Sequence, residues 1–388
     1  MTLRQVVSFA LAAVYSGIWW LRWARDTVKN RMWGQLGWLS GLVCVGSVLG
    51  AVAWSADMQR KTLRFEGDLT INDRQRYTLF ASAQRWLAAF NILNGLEFMC
   101  FMIPKLMMLD RLTHNATRSF QGQGGDGGWG AKGGVLTRLY RVVAACVVLC
   151  SFGGMVALYV AGANYLQSGG RYDQAAAACD AQGNDTNSSL SLLYEAEVLQ
   201  TQAATAVSVQ AILEAVALLL ISTAYLILVP LSVSMFRRAE RVGAHLLVTM
   251  SLRAEPIGIK AGKAAAIVDD LMHASVEQRR SLVIACVIVL ISFPVRAAFD
   301  LLNAYALFDS PYNPACGYCG PCQTERFYIR WWLIYTPEIR PIIVALSSPL
   351  PLFVSLWIIT RAHAQSYAIS FNILRARLGR PFASPSLK

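Results

Sequence analysis

Seven stretches of this chain stay apolar over roughly 20 residues each, and this repetition constrains the fold more than any other feature. They cover 6–23, 34–54, 86–108, 142–165, 207–229, 281–303 and 342–359. A helix needs about 20 mostly apolar residues to cross a hydrocarbon core roughly 30 Å thick. Inside lipid the backbone must satisfy its own N–H and C=O groups, which turns such stretches into helices. Composition agrees: only 15% of the 388 residues are charged and 55% are hydrophobic, against about 25% charged in a soluble domain. A soluble enzyme, a disordered tail and a disulfide-rich miniprotein are thereby excluded. The expected fold is all-α, a polytopic transmembrane helical bundle of about seven spans that forms a single domain over 1–388. The first stretch ends in Trp19-Trp20-Leu21-Arg22-Trp23-Ala24-Arg25, which lacks a small-x-small cleavage pattern and reads as a retained anchor.

The net charge of +12 is distributed by segment rather than spread as a nucleic-acid footprint. Segments 22–33, 110–141 and 237–280 and the tail after 360 are basic. Segment 166–206 has Arg171 as its one basic residue against Asp173, Asp180, Asp185, Glu195 and Glu197. Basic loops stay in the cytoplasm, so the N-terminus is expected outside and the C-terminus inside. Segment 55–85 dissents with six basic residues, offset by Asp57, Glu66, Asp68 and Asp73, and is assigned to the exoplasmic side. No nucleic-acid partner is expected. The partners are the lipid bilayer and a cytoplasmic protein docking at 237–280, and the location is the plasma membrane or a secretory-pathway membrane.

The cysteines fit this orientation. Cys44, Cys100, Cys146, Cys150 and Cys286 fall within spans, where a thiol behaves as a small apolar group. Cys179, Cys316, Cys319 and Cys322 fall in expected exoplasmic loops, where an even number suits disulfides. The expected arrangement ties Cys179 to the 316–322 cluster and adds one local bridge. Cys319-Gly320-Pro321-Cys322 has the letters of a thioredoxin site but no βαβ frame, so structural disulfides are preferred. Asn184 and Asn187 open sequons in the same exoplasmic loop. Residues 121–134 form a Gly-rich cytoplasmic linker by composition. Its Gly122-x-Gly124-x-x-Gly127 lacks the preceding strand that a dinucleotide site requires. Ser188 to Leu252 and Ala264 to Arg280 read as helices that project beyond spans five and six. Gly37, Gly41, Gly46 and Gly50 in span two permit close helix contact, within the bundle or in a homo-oligomer.

Ionisable groups inside spans are costly and usually face the bundle interior. Glu97 and Lys105 lie in span three, Glu214 in span five, Arg296 and Asp300 in span six. Lys105 sits near the inner end and is expected to snorkel. Counting about 1.5 Å per residue, Glu214 and Arg296 share a level with Glu97 one turn below. Asn94 shares a face with Glu97, and Gln210 with Glu214. Neighbouring spans three, five and six would gather these groups into a polar cavity open to the exoplasmic side, serving as a ligand pocket or an ion site. Arg296 and Asp300 are also an i,i+4 pair. Pro294, Pro349 and Pro351 interrupt spans six and seven, where broken helices act as hinges or expose carbonyls.

Enzyme motifs are missing, so no enzyme, cofactor or metal site is expected. His114, His245, His273 and His363 have no metal-ligand spacing, and Gly262-Lys263 is followed by Ala264 rather than Ser or Thr. Leu109-Asp110-Arg111-Leu112 at the end of span three resembles the Asp/Glu-Arg-Tyr motif of G-protein-coupled receptors, and Phe293-Pro294 resembles the end of their Cys-Trp-x-Pro motif. Leu112 replaces the aromatic, span three opens without Cys, and span seven reads Ser348-Pro-Leu-Pro-Leu352 rather than Asn-Pro-x-x-Tyr. The similarity is one of topology. It implies a receptor-like seven-helix sensor, in which a ligand near Glu97, Glu214 and Arg296 moves helices around Pro294 and reshapes 237–280. The alternatives are an ion or small-solute channel or transporter, and a structural membrane subunit.

Expression in a glycosylating eukaryotic cell reports the orientation directly. Glycan is expected on Asn184 or Asn187 with Asn115 bare; glycan on Asn115 would invert the topology.

Overall fold

Five long helices carry the described part of the computed structural model: α1 (Arg31–Leu69), α2 (Asp73–Gln121), α3 (Trp129–Ala181), α4 (Thr186–Ala254) and α5 (Ala261–Leu307). The structure describes residues 31–121, 129–181, 186–254 and 261–307, with isolated positions among 14–21 and 343–354. Among the described residues there is no strand. Each of the five helices contains a stretch long and apolar enough to cross a membrane, which is the architecture of an integral membrane protein. They coincide with the apolar stretches at 34–54, 86–108, 142–165, 207–229 and 281–303. The first and last expected spans lie outside the described residues, apart from isolated positions.

Two expected loops are helical instead. Residues 55–69 continue α1, 73–85 begin α2 and 166–181 end α3, while 186–206 begin α4, in line with the helix expected from Ser188 to Leu252. The physical reason is that charge ended the apolar stretches without ending the helices. Gln, Lys, Arg and Glu are good helix formers, and 166–206 adds alanines. Asp57 pairs along its own helix with Arg60 at 2.9 Å and Lys61 at 2.8 Å, the spacing that supports a helix surface. Chain reversal is confined to residues 70–72. There the Thr70 N–H donates to the Gly67 carbonyl at 3.2 Å, and the Asn72 side chain accepts from the Gln75 N–H. Asn72 therefore caps α2, and Asp73 puts a carboxylate at the positive end of the helix dipole. Likewise, 129–134 of the expected Gly-rich linker belongs to α3, while 122–128 lies outside the described residues. In segment 237–280, α4 runs to Ala254 and α5 starts at Ala261.

The chain divides into two compact units. The first comprises Met1–Leu109, Arg141–Thr223 and Ile291–Leu352 and contains most of the described polar interior. Within it, small residues set the helix spacing. A Cβ on Gly46 of α1 would lie 3.0 Å from Cys100 Cβ and 3.1 Å from the Phe101 ring of α2. One of the expected oligomer glycines is thus occupied within the chain. A Cβ on Gly162 of α3 would meet Ile92 at 3.0 Å, and one on Gly169 would meet the Ala81 carbonyl oxygen at 3.1 Å. Trp54 packs edge-on to Phe90, and Phe80 to Tyr172, with centroids 5.6 and 5.9 Å apart. Arg85 pairs with Asp173. Between α3 and α4, Ser168 donates to the Ala196 carbonyl at 3.1 Å and Gln200 to the Tyr172 hydroxyl at 3.0 Å. Half of the span residues of α2 and of α4 are buried (50%), against 28% in α3, so α2 and α4 supply the interior and α3 the periphery.

The second unit comprises Asp110–Tyr140, Ala224–Leu290 and Phe353–Lys388. There the Tyr140 hydroxyl bonds the Asp110 carboxylate, Thr117 and Thr137 hydroxyls lie 3.5 Å apart, and Tyr225 and Cys286 are buried.

Gly169→Val is expected to destabilise the protein by about 1–3 kcal/mol, because the Ala81 backbone cannot yield as a side chain would. Gly170→Ala, with nothing within 4 Å of its added Cβ, should leave the melting temperature unchanged or raised. Thermal melts in detergent would show the difference; equal effects at the two positions would refute the packing.

Candidate functional site

Interior helices α2 and α4, joined by α5, bring the intramembrane charges together within the first unit. Glu97, Lys105, Glu214, Arg296 and Asp300 are all buried, with Lys105 1% and Glu97 3% exposed. One arginine organises them. Arg296 Nη2 donates to Glu214 Oε1 at 3.0 Å, and Nε donates to Asp300 Oδ2 at 2.9 Å. The first bond joins α5 to α4; the second runs one turn along α5. Gln210 Nε2 donates to the other Glu214 oxygen at 2.6 Å. Glu214 is thus held through both oxygens, as a buried carboxylate requires.

Lys105 departs from expectation. Instead of snorkelling to the helix end, its ammonium lies over the Phe293 ring, 4.6 Å from the centroid. A cation on an aromatic face recovers part of its lost hydration. Lys105 lies eight residues after Glu97, about two turns on and close to the same face, and Phe293 lies one turn before Arg296. The i,i+8 spacing was the available signal for including Lys105, and the aromatic partner had none. Two prolines adjoin the contact, Pro104 within α2 and Pro294 within α5. Each deprives the carbonyl four residues earlier of its helical bond.

Against this satisfied frame, two buried atoms of the charged cluster have no hydrogen-bond partner among the described residues: Glu97 Oε2 and Arg296 Nη1. Glu97 interacts electrostatically with Arg296, Glu214 and Lys105, so the opposite charges share one field without a direct bond. Its neighbour Asn94 is half-buried. Asn91, one turn further, is buried and donates to its own helix at the Leu87 carbonyl, 2.8 Å. Gln84 is buried with Oε1 unpartnered. Counting from Gln84 to Lys105, α2 rises about 32 Å. Gln84, Asn91, Asn94, Glu97 and Lys105 therefore span a rise about as long as a hydrocarbon core is thick, as a broad polar seam fanned over about 140° of the helix surface.

The remaining sequence candidates fare differently. Cys179 is exposed and forms no disulfide with a described residue, while Cys316, Cys319 and Cys322 lie outside the described residues. The span cysteines Cys44, Cys100, Cys146, Cys150 and Cys286 form no disulfide with a described residue. Asn187 lies in the first turn of α4, and Asn184 is outside the described residues. Among the described residues no group of three or more His, Cys, Asp or Glu could hold a metal ion. Comparison of the chain with protein-family models, curated proteins and solved structures returns no match.

Removing one partner of a buried ion pair typically costs about 3–5 kcal/mol, since the other charge is left uncompensated. Glu214→Gln and Arg296→Gln should each destabilise by that order, and the double variant by less than their sum, with a coupling of about 1–3 kcal/mol. A double-mutant cycle on denaturant unfolding measures it, and zero coupling would disprove the contact.

Proposed function

We propose that this integral membrane protein passes an ion or small solute across the bilayer along the seam of α2. The observation that supports this most is Glu97 Oε2. It is buried midway along a stripe of polar side chains about 32 Å long and has no partner. A chain under purely structural demand would place apolar residues there, since a buried polar atom without a bond costs about 1–3 kcal/mol. A group that must bind and release something has to leave a bond unmade. Helices α4 and α5 supply the opposing wall, with Glu214 and Arg296 fixed by their own bonds. The expected orientation opens this site to the exoplasmic side.

A receptor-like seven-helix sensor is the second reading, and the closed Glu214–Arg296–Asp300 bridge favours it. A ligand reaching the buried polar cluster would compete for Arg296, and bending of α5 at Pro294 would pass the change to segment 237–280 and a cytoplasmic partner. The two readings differ in whether anything crosses.

The purified chain in proteoliposomes under an imposed potential is expected to carry current without added ligand. Glu97→Gln should reduce that current at least tenfold, and Gly170→Ala should retain it. A folded wild-type protein that carries no current, yet retains a cytoplasmic partner only with 237–280 intact, would replace transport by sensing.

A further inference from the structure

The charge count at the cluster leads one step further and rests on the transport reading above. Three carboxyls, Glu97, Glu214 and Asp300, face two cations, Lys105 and Arg296, all buried. Glu214 and Asp300 each accept a bond from Arg296, whereas Glu97 Oε2, buried beside them, accepts none, and an ionised carboxylate left so is expensive. A bound metal cation needs several oxygen ligands around it, and among the described residues no group of three or more His, Cys, Asp or Glu is placed to hold one. A proton needs one atom, and Glu97 Oε2 is the carboxylate oxygen left open.

We propose that the transported ion is a proton carried on Glu97 Oε2, and that Arg296 is the positioning residue whose spare Nη1–H binds that oxygen as the proton leaves. The described arrangement is the proton-loaded one: Glu97 carries its proton, Arg296 is bonded to Glu214 and Asp300, and Nη1 is spare. On release the Glu97 O–H bond breaks, the electron pair stays on oxygen, and the proton passes to water on the open side. Oε2, now anionic, accepts a hydrogen bond from Arg296 Nη1–H. Protonation from the other side reverses the exchange. Nothing is oxidised or reduced.

The neighbours of Glu97 fit this exchange. From α4 it meets Glu214, from α5 Arg296, and along α2 Lys105 and the Cys100 thiol. Lys105 is occupied by the Phe293 ring, so Arg296 is the cation with a free donor. Pro294, two residues before Arg296, loosens α5 at the point where the guanidinium must swing.

The test uses the full chain in proteoliposomes that enclose a pH-sensitive dye, with a potassium diffusion potential as the driving force. Wild type is expected to acidify or alkalise the lumen according to the sign of the potential. Glu97→Gln should lower the rate at least tenfold, and Glu97→Asp should restore part of it. Infrared difference spectra across a pH titration should show a protonated-carboxyl band that is absent in Glu97→Gln. Arg296→Lys keeps the charge but not the three-way fork. It is expected to keep that band while slowing flux at least tenfold. Current carried by sodium or potassium with no dye response would overturn the proton proposal and leave transport standing. No current of any ion would overturn both. Undiminished proton flux in Glu97→Gln would remove Glu97 from the role, and undiminished flux in Arg296→Lys would remove the exchange.

Discussion

Arg296 places a permanent cation where water cannot solvate it, and the interior of the first unit is arranged around that demand. The effective dielectric there is several-fold below that of water, so each contact with a carboxylate counts for correspondingly more. The guanidinium meets the demand with two directional bonds, one to Glu214 on α4 and one to Asp300 on its own helix. Because the fork is planar and rigid, it fixes the rotation of α5 as well as its distance from α4. Gln210 then immobilises Glu214 from the far side. With α4 and α5 so placed, Phe293 faces Lys105 and α2 is drawn into the same contact set. The bundle is therefore not held by apolar packing alone, which in a lipid solvent supplies little driving force between helices.

Close backbone approach completes the arrangement. Gly46, Gly162 and Gly169 lie against α2 residues at distances a side chain would violate. They let α1 and α3 flank α2 tightly enough to enclose its polar stripe. Glycine weakens a helix in water, yet in this position it brings neighbouring surfaces into contact.

Much of this was legible in the residues. Apolar stretch length alone located α1 to α5, and depth counting put Glu214 level with Arg296, where the structure has them bonded. Segment ends were misread at 55–85 and 166–181, because hydropathy reports where lipid can be and not where a helix stops, whereas the helix expected from Ser188 to Leu252 is present in α4. Asp57 with Arg60 and Lys61 shows that a charged segment can be strongly helical. Lys105 was misjudged for another reason. Snorkelling is the cheaper answer for a lysine near a helix end, and only the tertiary position of Phe293 makes the buried answer available. No one-dimensional pattern announces an aromatic ring on a helix nearly 190 residues later.

The position of Arg296 in the chain also shapes how the molecule must be made. Synthesis proceeds from the N-terminus, so α2 and α4 enter the bilayer before α5 exists. Glu97, Lys105 and Glu214 therefore reach hydrocarbon ahead of the cation that organises them. Each charged residue at a helix centre penalises insertion by about 2.5–3.5 kcal/mol. α2 accordingly needs its apolar neighbours, and α1 threaded alongside as a hairpin, to enter at all. Biogenesis therefore includes a late locking event: among the described helices, the polar interior is completed only when α5 arrives with the guanidinium. A chain truncated before residue 296 would be an orphan bearing unmatched carboxyls, the kind of intermediate that membrane quality control recognises.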